Sequence, residues 1–423
     1  MTASIALKQQ REDQKTGYGN NLTQEQASLL RDLWEALYSL EKVSVDINNS
    51  KDGIVTNGTS KSNNFSSKFN SSSETSKTNS EDKYNDKGEF LSALKLYSPE
   101  EIRQALWSLT SKDDPDMILL RFLRARKWEV ENAIAMLLST VKWLLQNNIN
   151  DIIKKGEEGM EKYFKEKGDK GFMKQFTSGK SYLRGTDNEG RPICYINARF
   201  HKKDEQNFEV LQKFTIYIME TSRLMIEPPV ETGCLLFNME GFTLSNMDFP
   251  FVKFMIQCFE SYYPESLGKL IIHKAPWIFG GLWKLVSPLF DPVVAAKIYF
   301  TQSNQELFNF IPENHLSEEL GGTDKWKYEY VPYQENENYR LADEATRKVK
   351  MEVRKSLELE FDELNKQWIK DPHNVQMKDK RNQLKVQLRK AQLELDPYLR
   401  ARTYYHRIGV LQGDGSCDWG YKQ

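Results

Sequence analysis

Beyond Asp169, short apolar runs alternate with helix-length segments, and this rhythm restricts the chain more than any other feature. The runs are Ile193 to Ile196, Cys234 to Phe237, Leu270 to Ile272 and Ile298 to Phe300. The first follows the turn signal Asp187-Asn188-Glu189-Gly190. Helices are expected over about 207–226 and 249–259. Strands that alternate with helices of this length favour a mostly parallel sheet with crossover helices. Residues 307–311 and the turn Gly321-Gly322 close the domain.

Between the last two runs the chain passes Ala275-Pro276 and enters a very apolar segment. It holds Trp277, Ile278, Phe279, Leu282, Trp283, Leu285, Val286, Leu289 and Phe290 before Asp291-Pro292. A bilayer span needs roughly 20 apolar residues, so this segment is too short to cross one. It is also too apolar for an ordinary surface helix. A core helix and a movable lid over an apolar cavity stand at even odds on these residues, since a helix apolar all round is most often buried.

The chain has 423 residues, of which 39% are hydrophobic and 28% charged, enough apolar mass for a sizeable core. A formal net charge of -1 gives no drive toward polyanions, and nucleic acid is not an expected partner. Cys194, Cys234, Cys258 and Cys417 form no CxxC pair, and three of them lie in apolar segments, so reduced thiols and a cytosolic compartment are expected. The first residues, MTASIALKQQREDQKTG, contain no apolar signal-peptide core. With no apolar run of about 18 residues, membrane contact is expected to be peripheral.

Five regions are expected. Residues 1–46 form an N-terminal helical extension, with Thr23 as cap, Gln26 three residues later, and Leu29, Leu30, Leu33, Trp34, Leu37, Tyr38 and Leu40 along one face. Residues 47–97 are expected to be a disordered linker, because the Ser- and Asn-rich stretch to Lys87 has too few large apolar residues to offset its ordering entropy. Residues 98–165 begin an all-helical lobe: Ser98-Pro99-Glu100-Glu101 and Asp114-Pro115-Asp116 are helix starts, and Val130, Ala133, Ile134, Leu137, Val141 and Leu144 keep helical spacing. Residues 166–325 hold the α/β domain. Residues 326–423 form a helical extension, with one stripe of Ala345, Val349, Val353, Leu357, Phe361, Leu364 and Trp368 and a second of Met377, Leu384, Leu388, Ala391 and Leu395. Docking on the body, a coiled-coil face and a membrane-surface element are all open for these two helices; their mixed-sign polar faces favour docking.

Catalytic patterns are missing. The histidines His201, His273, His315, His373 and His406 form no HExxH pair, and no GxSxG elbow occurs. Gly179-Lys180-Ser181 echoes the end of a phosphate-binding loop, but Lys174 stands where the first glycine belongs. The cations of Arg121-Phe122-Leu123-Arg124-Ala125-Arg126-Lys127 read either as a solvated face or as a phosphate site, for which arginine suits bidentate recognition.

In this order and spacing, the blocks DPDMILLRFLRARKW, TDNEGRPICYIN, YYPESLGKLIIHKAPWIF, LFDPVVAAKIYF and IPENHLSEELGG resemble the CRAL-TRIO lipid-binding family, in particular its fungal phosphatidylinositol transfer proteins. The resemblance covers residues 98 to about 323. It implies an α/β lobe with a gating helix over an apolar pocket, preceded by a helical lobe, and so selects the lid for 277–290. It also implies no catalysis, no metal and no cofactor beyond a bound phospholipid. By the resemblance, Arg126, Glu265 and Lys297 serve the inositol-phosphate headgroup, with Lys127 a weaker member. Val294 stands where the family carries threonine, a departure that costs one hydrogen bond. Gly233 and Leu235 replace the Ser and Thr that hold phosphatidylcholine in dual-specificity members, so choline-lipid binding looks lost and a neutral ligand such as a sterol precursor becomes an alternative. Glu265 reads equally as a plain ion-pair partner of Lys297. Trp277, Phe279, Trp283, Leu289 and Phe290 are the expected pocket and gate residues. The implied function is phosphatidylinositol binding and transfer in the cytoplasm, with transient contact at endoplasmic-reticulum or endosomal membranes and presentation of lipid to a phosphoinositide kinase. A lipid-sensing scaffold that recruits partners through its terminal helices is the competing reading.

Overall fold

A computed structural model describes residues 16–19, 21–49 and 82–421. The expectation of disorder over 50–81 lies outside them. The described chain falls into two compact units. One contains residues 149–350 and 393–421, and the other combines the described residues up to 148 with 351–392.

The second unit is all-helical. Its central helix, Val130–Asn147, buries Ala133, Ile134, Met136, Leu137 and Leu138 completely. Around it lie Gln24–Asn49, Asp86–Leu96, Pro99–Thr110 and Pro115–Ala125. Local chemistry starts these helices where the sequence places them. Thr23 and Gln26 cap each other reciprocally at 3.0 and 3.1 Å, Ser98 and Glu101 form a capping box, and Asp114 caps Pro115–Ala125. The expected linker needs correcting at its end: residues 86–96 are helical, because Phe90, Ala93 and Leu94 form an apolar face that is buried in the core.

The C-terminal helices Glu344–Lys370 and Val375–Leu395 extend into this unit. Phe361, Leu364, Leu384 and Leu388 join its core. The start of the first stripe faces the other way: Val349 and Val353 are exposed. Arg354 takes the inward position instead, donating to the carbonyls of Leu388 and Ser111. Asp116 is the polar anchor of this docking. Arg381 and Lys385 bond its carboxylate, and Trp34 Nε1 donates to it at 2.9 Å. Burial alone would raise the Asp116 pKa; Arg381 and Lys385 reverse that and hold it well below the usual carboxylate range.

The other unit carries a five-stranded sheet in the order β1-β2-β3-β4-β5: Ser181–Thr186, Pro192–Asn197, Gly233–Asn238, Leu267–His273 and Ile298–Thr301. β1 runs antiparallel to β2, and the remaining pairs are parallel. Leu235 stands opposite both Cys194 and Leu270, and Leu270 opposite Ile298. Phe208–Leu224 and Phe249–Gln257 are crossover helices, as the alternation of strands and helices predicts. Residues 149–166, within the expected helical lobe, instead form a helix of this unit, kinked at Gly156. A Cβ there would lie 2.4 Å from that of Ala401, so only glycine admits the close approach. Beside it, the buried carboxylate of Glu157 accepts from Tyr217, Tyr330, the Tyr404 amide and Arg407, fastening the chain's last segment to the sheet domain. The expected extension 326–423 is thus divided between the two units.

Candidate functional site

Strand periodicity builds the site. In β3, Cys234 and Leu236 enter the core on one side of the sheet, while Leu235 and Phe237 line a cavity on the other. β4 repeats this, with Ile271 on the core side and Leu270 and Ile272 on the cavity side. Phe251, Val252, Met255, Ile256 and Phe259 form a wall. Phe279, Trp283 and Val286 of the helix Phe279–Val286, with Phe290 and Val294 after it, complete the lining. The space amounts to about 1030 Å³, part of it continuous with solvent.

Ring contacts tie the roof to the lining. Phe279 meets Phe242 edge-on at 6.1 Å, and Trp283 lies 5.9 Å from Phe290 and 5.1 Å from Phe300. Its outer side exposes large apolar residues beside one cation: Trp277 is 91% exposed and Leu285 61%, and Lys284 is exposed next to Leu285. Added Cβ atoms at Gly280 and Gly281 would meet nothing within 4 Å. Only Val286 of this helix is buried, so it is not a core helix but a cover over the cavity. Trp277 and Leu289 are not part of the cavity lining, whereas Phe279, Trp283 and Phe290 are.

The few polar side chains of the lining already have protein partners. His201 Nε2 lies 3.2 Å from Asp248 and its Nδ1 3.4 Å from Lys180 Nζ. Asn246 donates to the carbonyls of Arg199 and His201 at 3.1 and 2.8 Å and accepts from the Thr243 amide at 2.8 Å. Asp248 caps Phe249–Gln257. Burial lowers the His201 pKa, reinforced by Lys180, and so favours neutral imidazole. Burial likewise pushes the Lys180 amine down to about 8. Polar groups that are satisfied internally leave hydrocarbon as the surface a ligand meets.

Of the expected headgroup residues, Glu265 and Lys297 come together, with Lys297 Nζ 3.3 Å from Glu265 Oε2. Both are half-buried or better, and Glu265 takes a positive φ of 54°. Val294 turns its side chain to the cavity, and its carbonyl accepts from the Lys297 amide at 3.0 Å. Leu235 lines the cavity; Gly233 lies one turn of the strand away, its amide donating to Ser266. Arg126 belongs to the helical unit and bonds Asp86 there; Lys127 beside it is exposed. The wall residues are missing from the motif-based expectation. Their signal is present in FPFVKFMIQCF, a helix with more apolar positions than one buried face needs. Among the described residues no group of three or more His, Cys, Asp or Glu is arranged to hold a metal ion, and no helix is long and apolar enough to cross a membrane.

Comparison with known proteins agrees with this geometry. Residues 176–322 match the CRAL/TRIO domain, and residues 88–139 match the CRAL/TRIO, N-terminal domain. The CRAL-TRIO domain-containing protein C3H8.02 of Schizosaccharomyces pombe is 38% identical over 317 residues, covering 74% of this chain and 70% of the relative. The phosphatidylinositol transfer protein CSR1 of Eremothecium gossypii is 37% identical over 329 residues, 77% of this chain and 74% of the relative. The SEC14 cytosolic factor of the same organism is 29% identical over 241 residues, 53% and 74% of the two chains. Sequence, fold and cavity converge, and the chain belongs to the CRAL/TRIO family.

Proposed function

We propose that this protein carries phosphatidylinositol between membranes, holding the acyl chains in the cavity beneath Phe279–Val286. The observation that carries this is an apolar cavity covered by a short helix with Trp277 and Leu285 exposed on its outer side. A diacyl lipid would expose dozens of CH2 groups to water at roughly 0.8 kcal/mol each, but moving it from one dry environment to another costs little. Transfer then needs a lid that opens at the bilayer surface, and Trp277 and Leu285 on the outside of the roof suit such contact. Lys297 would oppose the phosphate charge and Glu265 would accept from inositol hydroxyls. The name of the Eremothecium relative supports the choice of lipid. Presentation of the lipid to a phosphoinositide kinase, at endoplasmic-reticulum or endosomal membranes, extends the same reading. The test is transfer of labelled phosphatidylinositol between vesicles by wild type and Lys297→Ala. Transfer that falls at least tenfold in the variant supports the reading; no transfer by wild type refutes it.

A second reading is favoured by the internally satisfied polar lining and by the ion pair Lys297–Glu265: an uncharged lipid such as a sterol precursor as the cavity's occupant. In a competition assay, displacement of bound phosphatidylinositol by the neutral lipid, but not by phosphatidylcholine, would establish it.

A further inference from the structure

The helical unit has a cleft of its own, separate from the cavity of the sheet unit. Trp34, Ile102, Trp107 and Ile118 line it and are buried, and Leu37 and Leu106 beside them are half-buried. The space is about 850 Å³, part of it continuous with solvent. Gln24–Asn49, Pro99–Thr110, the start of Pro115–Ala125 and Glu344–Lys370 meet there. Trp34, Leu37 and Tyr38 precede the span 88–139 that matches the CRAL/TRIO, N-terminal domain, and Asp362 and Lys366 follow the span 176–322 of the CRAL/TRIO domain. The cleft is therefore completed by the two extensions of this chain rather than by the matched domains.

One polar corner interrupts the apolar lining. Arg103 Nε and Nη2 both donate to Asp362 Oδ2, at 3.0 and 2.8 Å, and the Tyr38 hydroxyl donates to Oδ1 at 3.1 Å. The carboxylate is thus engaged on both oxygens, whereas Arg103 uses two of the five N–H donors of a guanidinium. Its Nη1 lies 3.9 Å from Glu100 Oε2, too far for a hydrogen bond. Lys366 Nζ stands 5.3 Å from the centre of the Tyr38 ring and donates to Glu363 at 2.8 Å. Both members of that last pair are exposed, so it holds the ammonium only weakly. The lining therefore carries two cations and one carboxylate, and the donors that remain belong to the cations. A neutral ligand would leave them to water, and a cationic one would find Asp362 already taken. An anionic oxygen gains charge-assisted hydrogen bonds.

We propose that this cleft binds an amphiphile with one anionic end group, the carboxylate of a fatty acid or the phosphate of a monoalkyl phosphate lipid. Its apolar body lies against Trp34 and Trp107, and its charge meets Arg103 and Lys366. The site is independent of what the sheet unit carries. Glu344–Lys370 supplies Lys366 and the carboxylate that orients Arg103. A ligand bound there favours the docked state of that helix by mass action.

The experiment labels the full-length protein with a photoreactive diazirine analogue of palmitate and sequences the crosslinked peptides, in competition with palmitate, hexadecyl phosphate and hexadecanol. Crosslinks on Gln24–Asn49 and Pro99–Thr110 are the expected result. The better of the two anions should compete about tenfold more strongly than the alcohol, as one charge-assisted hydrogen bond implies. Palmitate as the better competitor assigns a fatty acid, and hexadecyl phosphate a phosphate lipid. Arg103→Met should weaken labelling of these helices about tenfold. That variant also removes the cation of Asp362, so Lys366→Gln, at an exposed side chain, is the second variant and should weaken labelling several-fold with unchanged urea unfolding. Crosslinks confined to the peptides of the sheet cavity, equal competition by hexadecanol, or wild-type labelling in Lys366→Gln would overturn the proposal.

Discussion

At position 294 a valine faces the cavity where the resembling transfer proteins carry a threonine. The missing hydroxyl is worth about 1 kcal/mol for a typical hydrogen bond, about fivefold in affinity. Val294→Thr is therefore expected to tighten phosphatidylinositol binding about fivefold in an equilibrium assay and to leave phosphatidylcholine binding unchanged. His406 offers a second test at this scale. Burial pushes its imidazole pKa down to about 4 from an ordinary 6.5. Its Nδ1 accepts from the Thr403 amide at 3.1 Å, a bond that only the neutral ring makes. The unfolded chain binds this proton at higher pH than the folded one, so stability is lost as pH falls from 6.5 toward 4, by about 3 kcal/mol at most. Urea unfolding at pH 7 and pH 4.5 should show a smaller acid loss in His406→Gln than in wild type; equal losses would remove His406 from the acid response.

At the scale of elements, the proposed transfer function turns on Phe279–Val286. Trp277 is almost wholly exposed, so replacing it should change folding stability by no more than about 0.5 kcal/mol. If the proposed transfer reading holds, Trp277→Ser slows vesicle-to-vesicle transfer several-fold while lipid already in the cavity stays bound, because the residue is exposed and outside the cavity lining. Slowed transfer with weakened cavity binding would instead make Trp277 part of the pocket. Elements were legible to different degrees, for identifiable reasons. β2 to β5 stand out because Ile193–Ile196, Leu270–Ile272 and their counterparts are short, apolar and well spaced. β1, SYLRGT, mixes small and charged residues and borrows its order from pairing with β2 and from the Tyr405 hydroxyl, which accepts from the Leu183 amide at 2.6 Å. Helix Asp86–Leu96 is hidden because its few apolar residues follow a long polar tract. In Glu344–Lys370 a purely apolar count misplaces the inner face, since the buried Arg354 contributes its stem and donors rather than hydrocarbon alone.

Over the whole molecule, the last sixth of the chain is not an appendage. Residues 351–392 complete the core of the helical unit, and 393–421 pack within the sheet unit. Neither assignment can be read from periodicity, which shows that a helix has an apolar side but not what that side covers. One buried ion pair, Arg381 to Asp116, ties the tail into the helical unit. Arg381→Ala would leave Asp116 with Lys385 as its remaining cation among these partners. It should cost about 3–5 kcal/mol, the range for breaking a buried pair, measured by urea or thermal unfolding; a loss under 1 kcal/mol would mean that the tail docks through its apolar contacts alone. The ordered motifs imply headgroup residues, whereas the cavity follows from the packing of β3, β4 and helix Phe249–Gln257 under Phe279–Val286. That cavity is the central claim. Native mass spectrometry of the protein purified from cells, followed by extraction and identification of what it carries, tests it most directly. A stoichiometric lipid, phosphatidylinositol first among them, is the predicted result, and a protein that emerges empty under conditions that preserve lipid complexes would contradict it.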